Sequence, residues 1–222
     1  MTSALMKSDK PIILLGAGHA TVDMLGDVLR FGNLIVAADG GARFALDNGH
    51  IPDAVIGDMD SISDEIRAKI PQSHVHRFHD QDSTDFDKAL RSIDAPLVLA
   101  AGFLGARTDH TLAAFNVLVR RGGCVLLGEE DIIFRCPPNI AFDLPKGSIF
   151  SLFPMGSVKG QSEGLKWPIQ GIDFSPNGKT GTSNQVIGPV SLKMTSRDML
   201  VIVPRAALST VVTQLLATPE WD

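Results

Sequence analysis

Residues 34–61 read LIVAADGGARFALDNGHIPDAVIGDMDS, and the order of apolar and polar residues in this stretch decides the predicted fold. The apolar runs Leu34–Ala38 and Ala54–Ile56 lie on either side of a helix-like segment, Ala42–Asn48. Continuous apolar strands that alternate with helices are typical of a parallel sheet that is buried on both faces. The stretch therefore predicts a β-strand, a helix and a second strand parallel to the first.

The same alternation extends over residues 11 to about 128. Further apolar runs occupy Ile12–Leu15, His74–Phe78, Leu97–Ala101 and Val125–Leu127, and the helix-like segments between them are Thr21–Phe31, Asp64–Ile70, Asp85–Ile93 and Thr111–Arg120. Ser63 and either Ser83 or Thr84 are placed to cap two of these helices. We therefore predict an N-terminal three-layer α/β domain with a mostly parallel sheet, spanning residues 1–135.

Residues 136–222 follow a different pattern. Glycine, proline, serine and asparagine separate short apolar runs, which are Ser148–Phe153, Val186–Ile187, Val190–Met194 and Met199–Val203. Closely spaced strands bounded by turn residues are typical of an all-β sandwich, and Asn177-Gly178 predicts a hairpin turn. We predict a C-terminal all-β sandwich domain that ends in a helix, Arg205–Ala217.

The composition excludes several classes of protein. The 222 residues carry 20 Lys and Arg against 25 acidic residues, a balance that argues against binding nucleic acid through a basic surface. No apolar run approaches the roughly 18 residues of a membrane helix, and the apolar stretch at the start is too short for a secretory signal. Two isolated cysteines are typical of a reducing compartment, so we expect a cytoplasmic protein without nucleic-acid or membrane partners.

Aspartate supplies 20 of the 25 acidic residues, and 15 of those 20 lie within the first 110 positions. The densest group is Gly57-Asp58-Met59-Asp60-Ser61, directly after an apolar run. In an extended chain Asp58 and Asp60 point to one side and Met59 into the core. Open α/β sheets bind ligands at this carboxyl end of their strands. Two short carboxylates there suit Mg²⁺, although a capped turn before the next helix is also consistent with them.

Three further strand ends carry aspartate. The groups are Asp39-Gly40-Gly41, then Asp82-Ser83-Thr84-Asp85 with Lys88 one helical turn later, and Gly105-Ala106-Arg107-Thr108-Asp109-His110. Phosphoryl transfer needs this combination, because carboxylates hold the metal while cations and backbone amides hold the phosphates. Each group alone is also consistent with a helix cap or a solvated ion pair. Together they predict a metal and phosphate site at one edge of the sheet.

Two glycine motifs resemble nucleotide-binding loops, and we reject both. Gly16-Ala17-Gly18 follows the first strand, but Thr21 stands where the dinucleotide-binding fingerprint requires glycine. Gly178-Lys179-Thr180 matches the end of a P-loop, but Asp173 occupies the first glycine position of that motif and no strand-to-helix switch surrounds it.

The motifs, taken in order, resemble those of the thiamin pyrophosphokinase family from about residue 12 to residue 203. They are Asp39-Gly40-Gly41, Gly57-Asp58-Met59-Asp60-Ser61, Asp80-Gln81-Asp82-Ser83-Thr84-Asp85-Phe86, Arg107-x-Asp109-His110-Thr111-Leu112, Gly164-Leu165-Lys166-Trp167-Pro168 and Gly181-Thr182-Ser183-Asn184. The sequence departs from the family at Ala106, where the family usually has a second glycine, and at Ala114, where asparagine is common.

The resemblance implies transfer of a pyrophosphoryl group from ATP to the hydroxyl of thiamin, giving thiamin diphosphate and AMP. It also implies a homodimer with its active sites at the subunit interface. Mg²⁺ would be bound by Asp58, Asp60 and Asp85. The other catalytic residues would be Lys88 and Arg107, which would bind the ATP phosphates, and Asp109. The substrate-binding residues would be Asp39, Gly40, Gly41, Gln81, Thr84, His110, Trp167, Ser183 and Asn184. Trp167 would stack on the pyrimidine of thiamin, and Ser183 and Asn184 would hydrogen-bond to it.

Two other functions remain open from the residues alone. One is a Mg²⁺-dependent nucleotide phosphohydrolase that uses the same aspartates, and the other is a non-catalytic module that binds thiamin or a nucleotide. A simple hydrolase has no need of Trp167 and Ser183-Asn184, whereas a binding module has no need of every acidic residue.

Overall fold

The computed structural model describes residues 4–78, residue 80 and residues 82–221. Its strands and helices, in chain order, are β1 (Met6–Lys7), β2 (Ile12–Leu15), α1 (Val22–Leu29), β3 (Ile35–Ala38), α2 (Gly41–Asp47), β4 (Ala54–Gly57), α3 (Asp64–Ala68), β5 (Val75–Arg77), α4 (Asp85–Arg91), β6 (Ile93–Asp94), β7 (Val98–Ala101), α5 (Thr108–Arg121), β8 (Cys124–Leu127), β9 (Asp131–Arg135), β10 (Asn139–Phe142), β11 (Ile149–Pro154), β12 (Gly160–Leu165), β13 (Gly181–Met194), β14 (Met199–Pro204) and α6 (Leu208–Ala217). Short 3-10 turns precede β5 and α6, at Gln72–His74 and Arg205–Ala207. The fold is mixed α/β, as the sequence predicts.

The chain divides into two compact units. The N-terminal unit comprises the residues up to Val117 together with Leu126–Glu129, and the C-terminal unit comprises Leu118–Val125 together with the residues from Glu130 onward. The domain boundary that the sequence analysis places between residues 135 and 136 stays a prediction.

The N-terminal unit contains five parallel strands in the spatial order β5-β4-β3-β2-β7. Every residue of β2, β3, β4 and β7 is buried, which confirms the prediction of continuous apolar strands covered on both faces. The chain steps from β2 through β3 and β4 to β5 in one direction and then returns to β7 on the other side of β2. The carboxyl ends of β2 and β7 therefore flank the switch point at which open α/β sheets bind ligands.

Side-chain caps begin three of the helices at the positions that the sequence favours. Thr21 accepts a hydrogen bond from the Met24 amide, and Ser63 accepts one from the Ile66 amide. Thr84, rather than Ser83, caps α4 by accepting a hydrogen bond from the Asp87 amide at 3.2 Å. Each cap satisfies one of the free N–H groups of a first turn and so fixes where the helix starts. The caps of α3 and α4 lie directly beside the acidic strand ends.

The last residue of α4 differs from the prediction, whereas its first residue, Asp85, is the predicted one. The predicted helix Asp85–Ile93 ends at Arg91, because Ile93–Asp94 forms β6 and pairs in parallel with β1. Neither two-residue strand was predicted, since so short a segment carries no alternation that could be recognised.

The C-terminal unit is built from antiparallel strands in the order β9-β14-β11-β13-β10, with β12 paired to β13 as well. The two predicted strands Val186–Ile187 and Val190–Met194 are one fourteen-residue strand, β13. An irregularity in its pairing with β12, between Glu163 and Leu165, takes up Gly188-Pro189, so the proline does not end the strand. Strands β9, β10 and β12 were not predicted, and β12 has a single apolar residue, Leu165.

The other C-terminal predictions are confirmed in part. A turn does form at the predicted Asn177-Gly178, closed by a hydrogen bond from the Gly178 amide to the Ser175 carbonyl, but it joins isolated bridges at Phe174 and Lys179 rather than two strands of a hairpin. The predicted helix Arg205–Ala217 starts as a 3-10 turn and becomes α-helical at Leu208. Among the described residues, no helix combines the length and the apolar character that crossing a bilayer requires.

Candidate active site

A cavity of about 350 Å³ lies at the carboxyl ends of the parallel strands in the N-terminal unit. Segments that follow β2, β3, β4, β5 and β7 all contribute to its lining, so the cavity occupies the predicted edge of the sheet. The predicted site residues that line it are Asp39, Gly40, Asp58, Thr84, Asp85, Lys88, Arg107 and His110. Gln81 lies outside the described residues.

Three aspartates at this edge form a group that can hold a metal ion. One carboxylate oxygen from each of Asp39, Asp58 and Asp60 lies within 4.8 Å of the other two. Asp39 is buried, and its Oδ1 atom has no hydrogen-bond partner among the described residues. A buried carboxylate oxygen without a partner is energetically unfavourable unless a cation or a donor occupies the space beside it. An all-oxygen donor set of this kind fits a hard divalent cation such as Mg²⁺.

The backbone conformation that brings Asp58 and Asp60 together differs from the predicted one. Met59 has a φ of 68°, in the left-handed region, so Asp58-Met59-Asp60 is a turn and not an extended chain. The Asp60 amide donates to Asp58 Oδ1 at 3.1 Å within that turn. The prediction that Asp58 and Asp60 share a side through strand alternation is therefore wrong in its mechanism. Met59 is nonetheless buried, in a cluster with Val55 and Ile66.

The pKa of Asp39 is raised above its ordinary value of 3.8. Burial is the main cause, and the neighbouring charges of Asp85 and Asp60 add to it. A hydrogen bond from the Ser61 amide to Asp39 Oδ2, 3.2 Å long, opposes the increase. Burial and the neighbouring carboxylates therefore disfavour the charged form of Asp39, and a cation beside it would favour that form.

Asp85 is not in the group of three. Its Oδ1 atom accepts a hydrogen bond from Lys88 Nζ at 3.1 Å, and the Lys88 side chain is almost completely buried. The predicted metal set of Asp58, Asp60 and Asp85 thus differs from the set that the structure groups, which contains Asp39 in place of Asp85. A buried ammonium ion beside a carboxylate places a fixed positive charge in the cavity wall.

The loop before α4 is held by Asp80. This carboxylate accepts hydrogen bonds from Ser83 Oγ at 2.7 Å, the Asp82 amide at 2.8 Å and Arg91 Nη2 at 3.0 Å. These bonds, that from Ser83 first, lower the pKa of Asp80 to about 2. Asp82 itself is exposed and is not among the residues that line the cavity. Asp80 therefore supports the loop that presents Thr84 and Asp85.

Arg107 and Asp109 form an exposed pair at the cavity. Two hydrogen bonds connect them, from Arg107 Nε to Asp109 Oδ1 at 3.1 Å and from Nη2 to Oδ2 at 2.6 Å. The hydrogen bonds from Arg107 lower the pKa of Asp109, and the bond with Asp109 raises the pKa of Arg107. Arg107 lines the cavity, whereas Asp109 is outside the described metal group and engages the guanidinium instead.

The cavity also contains two glycine turns whose role the sequence analysis missed. Gly16-Ala17-Gly18 and Gly102-Phe103 both line it, and the Gly18 amide donates to the Gly102 carbonyl at 2.7 Å. A Cβ atom added to Gly16 or Gly18 would collide with the Gly102 carbonyl oxygen. The incomplete dinucleotide-binding fingerprint led to rejection of the first turn, although glycines directly after a buried strand were themselves a signal.

Gly41 packs closely against the end of β2, and its predicted contact with a ligand stays a prediction. A Cβ atom at this position would collide with the Leu15 carbonyl oxygen, and Gly41 is not among the residues that line the cavity. Glycine here lets α2 begin directly against the end of β2. Gly40, one residue earlier, does line the cavity.

Left-handed backbone conformations coincide with the predicted motifs. Four described residues other than glycine have positive φ angles, and they are Asp39 (41°), Met59 (68°), Ala106 (50°) and Ser183 (60°). Such conformations cost about 1–2 kcal/mol for residues with a Cβ atom and concentrate at functional sites. Each of the four lies within a segment that the sequence analysis singled out.

The remaining predicted site residues come together in the C-terminal unit. The backbone amide of Trp167 donates to Asn184 Oδ1 at 3.1 Å, and Asn184 Nδ2 donates to the Trp167 carbonyl at 2.6 Å. Trp167 is 55% exposed, and Lys166 Nζ lies 4.8 Å from its ring centroid. Ser183 is also exposed, whereas Asn184 is buried. An exposed indole with a fixed backbone is a suitable surface for stacking a flat ring.

Comparisons with known proteins agree on one family. Residues 26–124 match the family model described as "Thiamin pyrophosphokinase, catalytic domain". The chain is 29% identical over 228 residues to "Thiamine pyrophosphokinase 1" of Oryza sativa subsp. japonica, an alignment that covers 83% of this chain and 86% of the relative. It is 33% identical over 170 residues to "Thiamine pyrophosphokinase" of Bacillus subtilis (strain 168), covering 69% of this chain and 78% of the relative.

A solved structure shares the fold. "Thiamin pyrophosphokinase from Candida albicans" matches with a TM-score of 0.73, covering 87% of this chain and 90% of that chain. The two sequences are 18% identical, so this likeness concerns the fold alone.

Proposed function

The chain belongs to the thiamin pyrophosphokinase family, and we propose that the cavity of the N-terminal unit is where this ATP:thiamin diphosphotransferase binds and activates ATP. The observation that carries the proposal is the group of Asp39, Asp58 and Asp60, whose carboxylate oxygens lie within 4.8 Å of one another at the carboxyl ends of β3 and β4. The product pair would be thiamin diphosphate and AMP.

Mg²⁺ would be held by Asp39, Asp58 and Asp60. The fit rests on the all-oxygen donor set and on the unpartnered Oδ1 atom of buried Asp39. Asp85, the third ligand expected from the family resemblance, is close enough to raise the pKa of Asp39 and would take part through its charge or by moving away from Lys88. Mg²⁺, when bound, supplies positive charge that neutralises the polyphosphate.

The phosphates of ATP would be held by Lys88 and Arg107. Lys88 offers a buried ammonium group, and Arg107 offers a planar guanidinium that can bind two phosphate oxygens at once. Gly16, Gly18 and Gly102 have no side chains, so the two glycine turns pack closely against each other in the cavity wall. Opposite charges at fixed positions are the main requirement of phosphoryl transfer.

In the proposed reaction the hydroxyl oxygen of thiamin forms a bond to the β-phosphorus of ATP. The bond from that phosphorus to the oxygen bridging the α- and β-phosphates breaks, and AMP leaves with the bridging oxygen. The hydroxyl proton is lost to a base or to solvent. The contribution of the protein is to hold the two reacting oxygens in line and to neutralise the charge that moves to AMP.

Thiamin would bind through the C-terminal unit, which we propose to be the predicted β-sandwich domain. Trp167 would stack on the pyrimidine, and the exposed Ser183 would offer its hydroxyl as a hydrogen-bonding group. We also propose the homodimer with active sites at the subunit interface that the family resemblance implies. A molar mass in solution near twice 23.7 kDa would support the dimer, and a mass near 23.7 kDa at working concentrations would contradict it.

A cytoplasmic location is part of the proposal. Cys124 and Cys136 are both free and buried, and burial raises the pKa of each thiol. Free thiols of this kind are compatible with a reducing compartment. Cell fractionation would contradict the proposal by recovering the protein in a membrane or secreted fraction.

Substitution of one metal-binding aspartate tests the assignment of the site. We expect Asp60→Asn to reduce the formation of AMP and thiamin diphosphate at least about a hundredfold, because the metal loses a charged ligand while the exposed side chain contributes little to folding. Asp64→Asn is the matched control, since Asp64 is an exposed aspartate in the first turn of α3 and does not line the cavity. Near-normal turnover by folded Asp60→Asn would refute the metal role of Asp60.

A further inference from the structure

The side chain of Asn184 is committed to hydrogen bonds within the protein. Its Oδ1 atom accepts from the Trp167 amide at 3.1 Å and from the Gln185 amide at 2.8 Å, and its Nδ2 atom donates to the Trp167 carbonyl at 2.6 Å. A side-chain amide offers two acceptor and two donor positions. Three of these four positions are therefore occupied. Asn184 is also 6% exposed, which leaves little surface for a ligand to reach.

The local backbone explains why Asn184 points inward. Phe150 pairs with Asn184 and Leu152 pairs with Gly181, so the register between β11 and β13 shifts by one residue in this interval. Ser183 takes up the irregularity with a φ of 60°, and its amide donates to Ser151 Oγ at 2.9 Å. A bulge of this kind redirects the side chains on either side of it. Ser183 is left exposed while Asn184 is buried against the backbone of Trp167.

The backbone of Trp167 depends on this contact. Trp167 follows the end of β12, and its amide and carbonyl both bond to Asn184 instead of to a neighbouring strand. Asn184 thus replaces the pair of hydrogen bonds that a strand partner would supply. The exposed indole is attached to a backbone that is fixed at both its polar groups.

We propose that Asn184 is a positioning residue, which acts on thiamin through Trp167 and does not itself bind the pyrimidine. The inference rests on the proposed function, in which the indole of Trp167 stacks on that ring. Stacking depends on the angle and offset between two rings. By fixing the Trp167 backbone, Asn184 limits the orientations of the indole before thiamin arrives. Less ordering then accompanies binding, and the affinity is higher.

A double-mutant cycle distinguishes positioning from direct contact. In the wild-type background we expect Asn184→Ala to raise the KM for thiamin about tenfold, with the KM for ATP unchanged, because a stacked ring contributes about that much to affinity. In a Trp167→Ala background the same substitution should change the KM for thiamin less than about twofold, because the group on which it acts is gone. An equal, about tenfold, effect in both backgrounds would show direct contact with thiamin and overturn the proposal.

Fluorescence of the free enzyme provides a second measurement that does not depend on turnover. The chain has two tryptophans, so a Trp221→Phe background leaves Trp167 as the single indole. There we expect Asn184→Ala to lower the steady-state anisotropy of Trp167, while Asn177→Ala, at an exposed turn, leaves it unchanged. Unchanged anisotropy in Asn184→Ala would contradict positioning.

Failure of the proposed function would have a different signature. If Trp167→Ala alone leaves the KM for thiamin unchanged, the indole is not the surface on which thiamin stacks, and the positioning of thiamin through Trp167 is overturned with it. Loss of anisotropy in Asn184→Ala would in that case still establish that Asn184 orders Trp167. The two failures are therefore distinguishable.

Discussion

At the scale of single residues, the Oδ1 atom of Asp39 is the most informative atom of the site. It is buried, lacks a hydrogen-bond partner among the described residues, and lies in a group with the carboxylates of Asp58 and Asp60. Such a carboxylate is unfavourable for the metal-free protein and favourable for the protein with a cation bound. Asp39 therefore lowers the stability of the metal-free protein while providing a ligand for the cation.

Asp39→Asn should stabilise the metal-free protein by about 1 kcal/mol, because the new amide removes a charge and can donate to a neighbouring carboxylate. The pKa of Asp39 is raised, so its ionisation opposes folding; wild-type stability is lost as the pH rises through the folded-state pKa. The advantage of the variant should vanish below pH 3.8, where Asp39 is protonated in both states, grow as the pH rises from 3.8 to the raised pKa, and stay constant above it. Thermal unfolding of both proteins between pH 3 and 8 measures this difference in stability.

Addition of Mg²⁺ should make the wild-type protein more stable than Asp39→Asn. A ligand at about 100 times its Kd stabilises the native state by about 2.7 kcal/mol, and the variant lacks the Asp39 carboxylate that would bind it. Thermal unfolding in millimolar MgCl₂ should therefore favour wild type and the Asp64→Asn control over Asp39→Asn. Equal stabilisation of all three proteins by Mg²⁺ would show that Asp39 is not a ligand.

Ala106 is one of the two residues at which the sequence departs from the pattern of the family that it resembles, and its backbone is strained. Its φ of 50° is readily adopted by glycine, the residue that the family usually has there. We expect Ala106→Gly to raise the free energy of unfolding by up to about 1 kcal/mol. Ala113→Gly is the matched control, because the same change inside α5 should destabilise by about 1 kcal/mol. Urea unfolding of both variants checks the opposite signs, and a destabilised Ala106→Gly would contradict the account.

At the scale of secondary-structure elements, the C-terminal segment after α6 holds the C-terminal unit together. Arg135 at the end of β9 is buried and donates to Glu220 Oε2 at 2.5 Å and to the Val119 carbonyl at 3.2 Å. Glu220 Oε1 also accepts a hydrogen bond from the Gly123 amide, and the Trp221 indole N–H donates to the Cys136 carbonyl. The sequence showed the helix but not this role, because partners 85 positions apart leave no local pattern.

Glu220→Gln should destabilise the protein by about 1–3 kcal/mol, because it leaves the buried Arg135 guanidinium without a counter-charge. The same substitution in an Arg135→Met background should have little effect, since no buried charge remains. Glu163→Gln, on the exposed side of β12, is the control and should be neutral. Denaturant midpoints measure these effects, and an equal loss of stability in both backgrounds would show that the ion pair is not the cause.

How well each element could be predicted depended on where its stabilisation comes from. Strands β2, β3, β4 and β7 are buried on both faces, so each reads as a continuous apolar run. Strand β12 (GQSEGL) is held mainly by its pairing with β13, and hydrogen bonding between backbones is invisible in a sequence. The turn at Met59 was missed because a left-handed backbone at a residue other than glycine gives no local signal in the sequence.

At the scale of the whole molecule, the predicted family and activity are confirmed, and the coarse fold with them. The candidate site was predictable because its acidic residues follow successive strands whose carboxyl ends meet at one edge. The hydrogen-bond partners of the site residues could not be predicted. In the structure Asp85 bonds to Lys88, Asp109 to Arg107 and Asn184 to Trp167. Those pairings depend on side-chain geometry at distances of about 3 Å, which spacing along the chain does not determine.

The products of the reaction test the central claim most directly. ³¹P NMR of the wild-type enzyme with ATP, Mg²⁺ and thiamin follows every phosphorus atom at once. We expect AMP and thiamin diphosphate to appear in equal amounts, with no reaction of ATP when thiamin is left out. Formation of ADP or thiamin monophosphate, or breakdown of ATP without thiamin, would contradict the account.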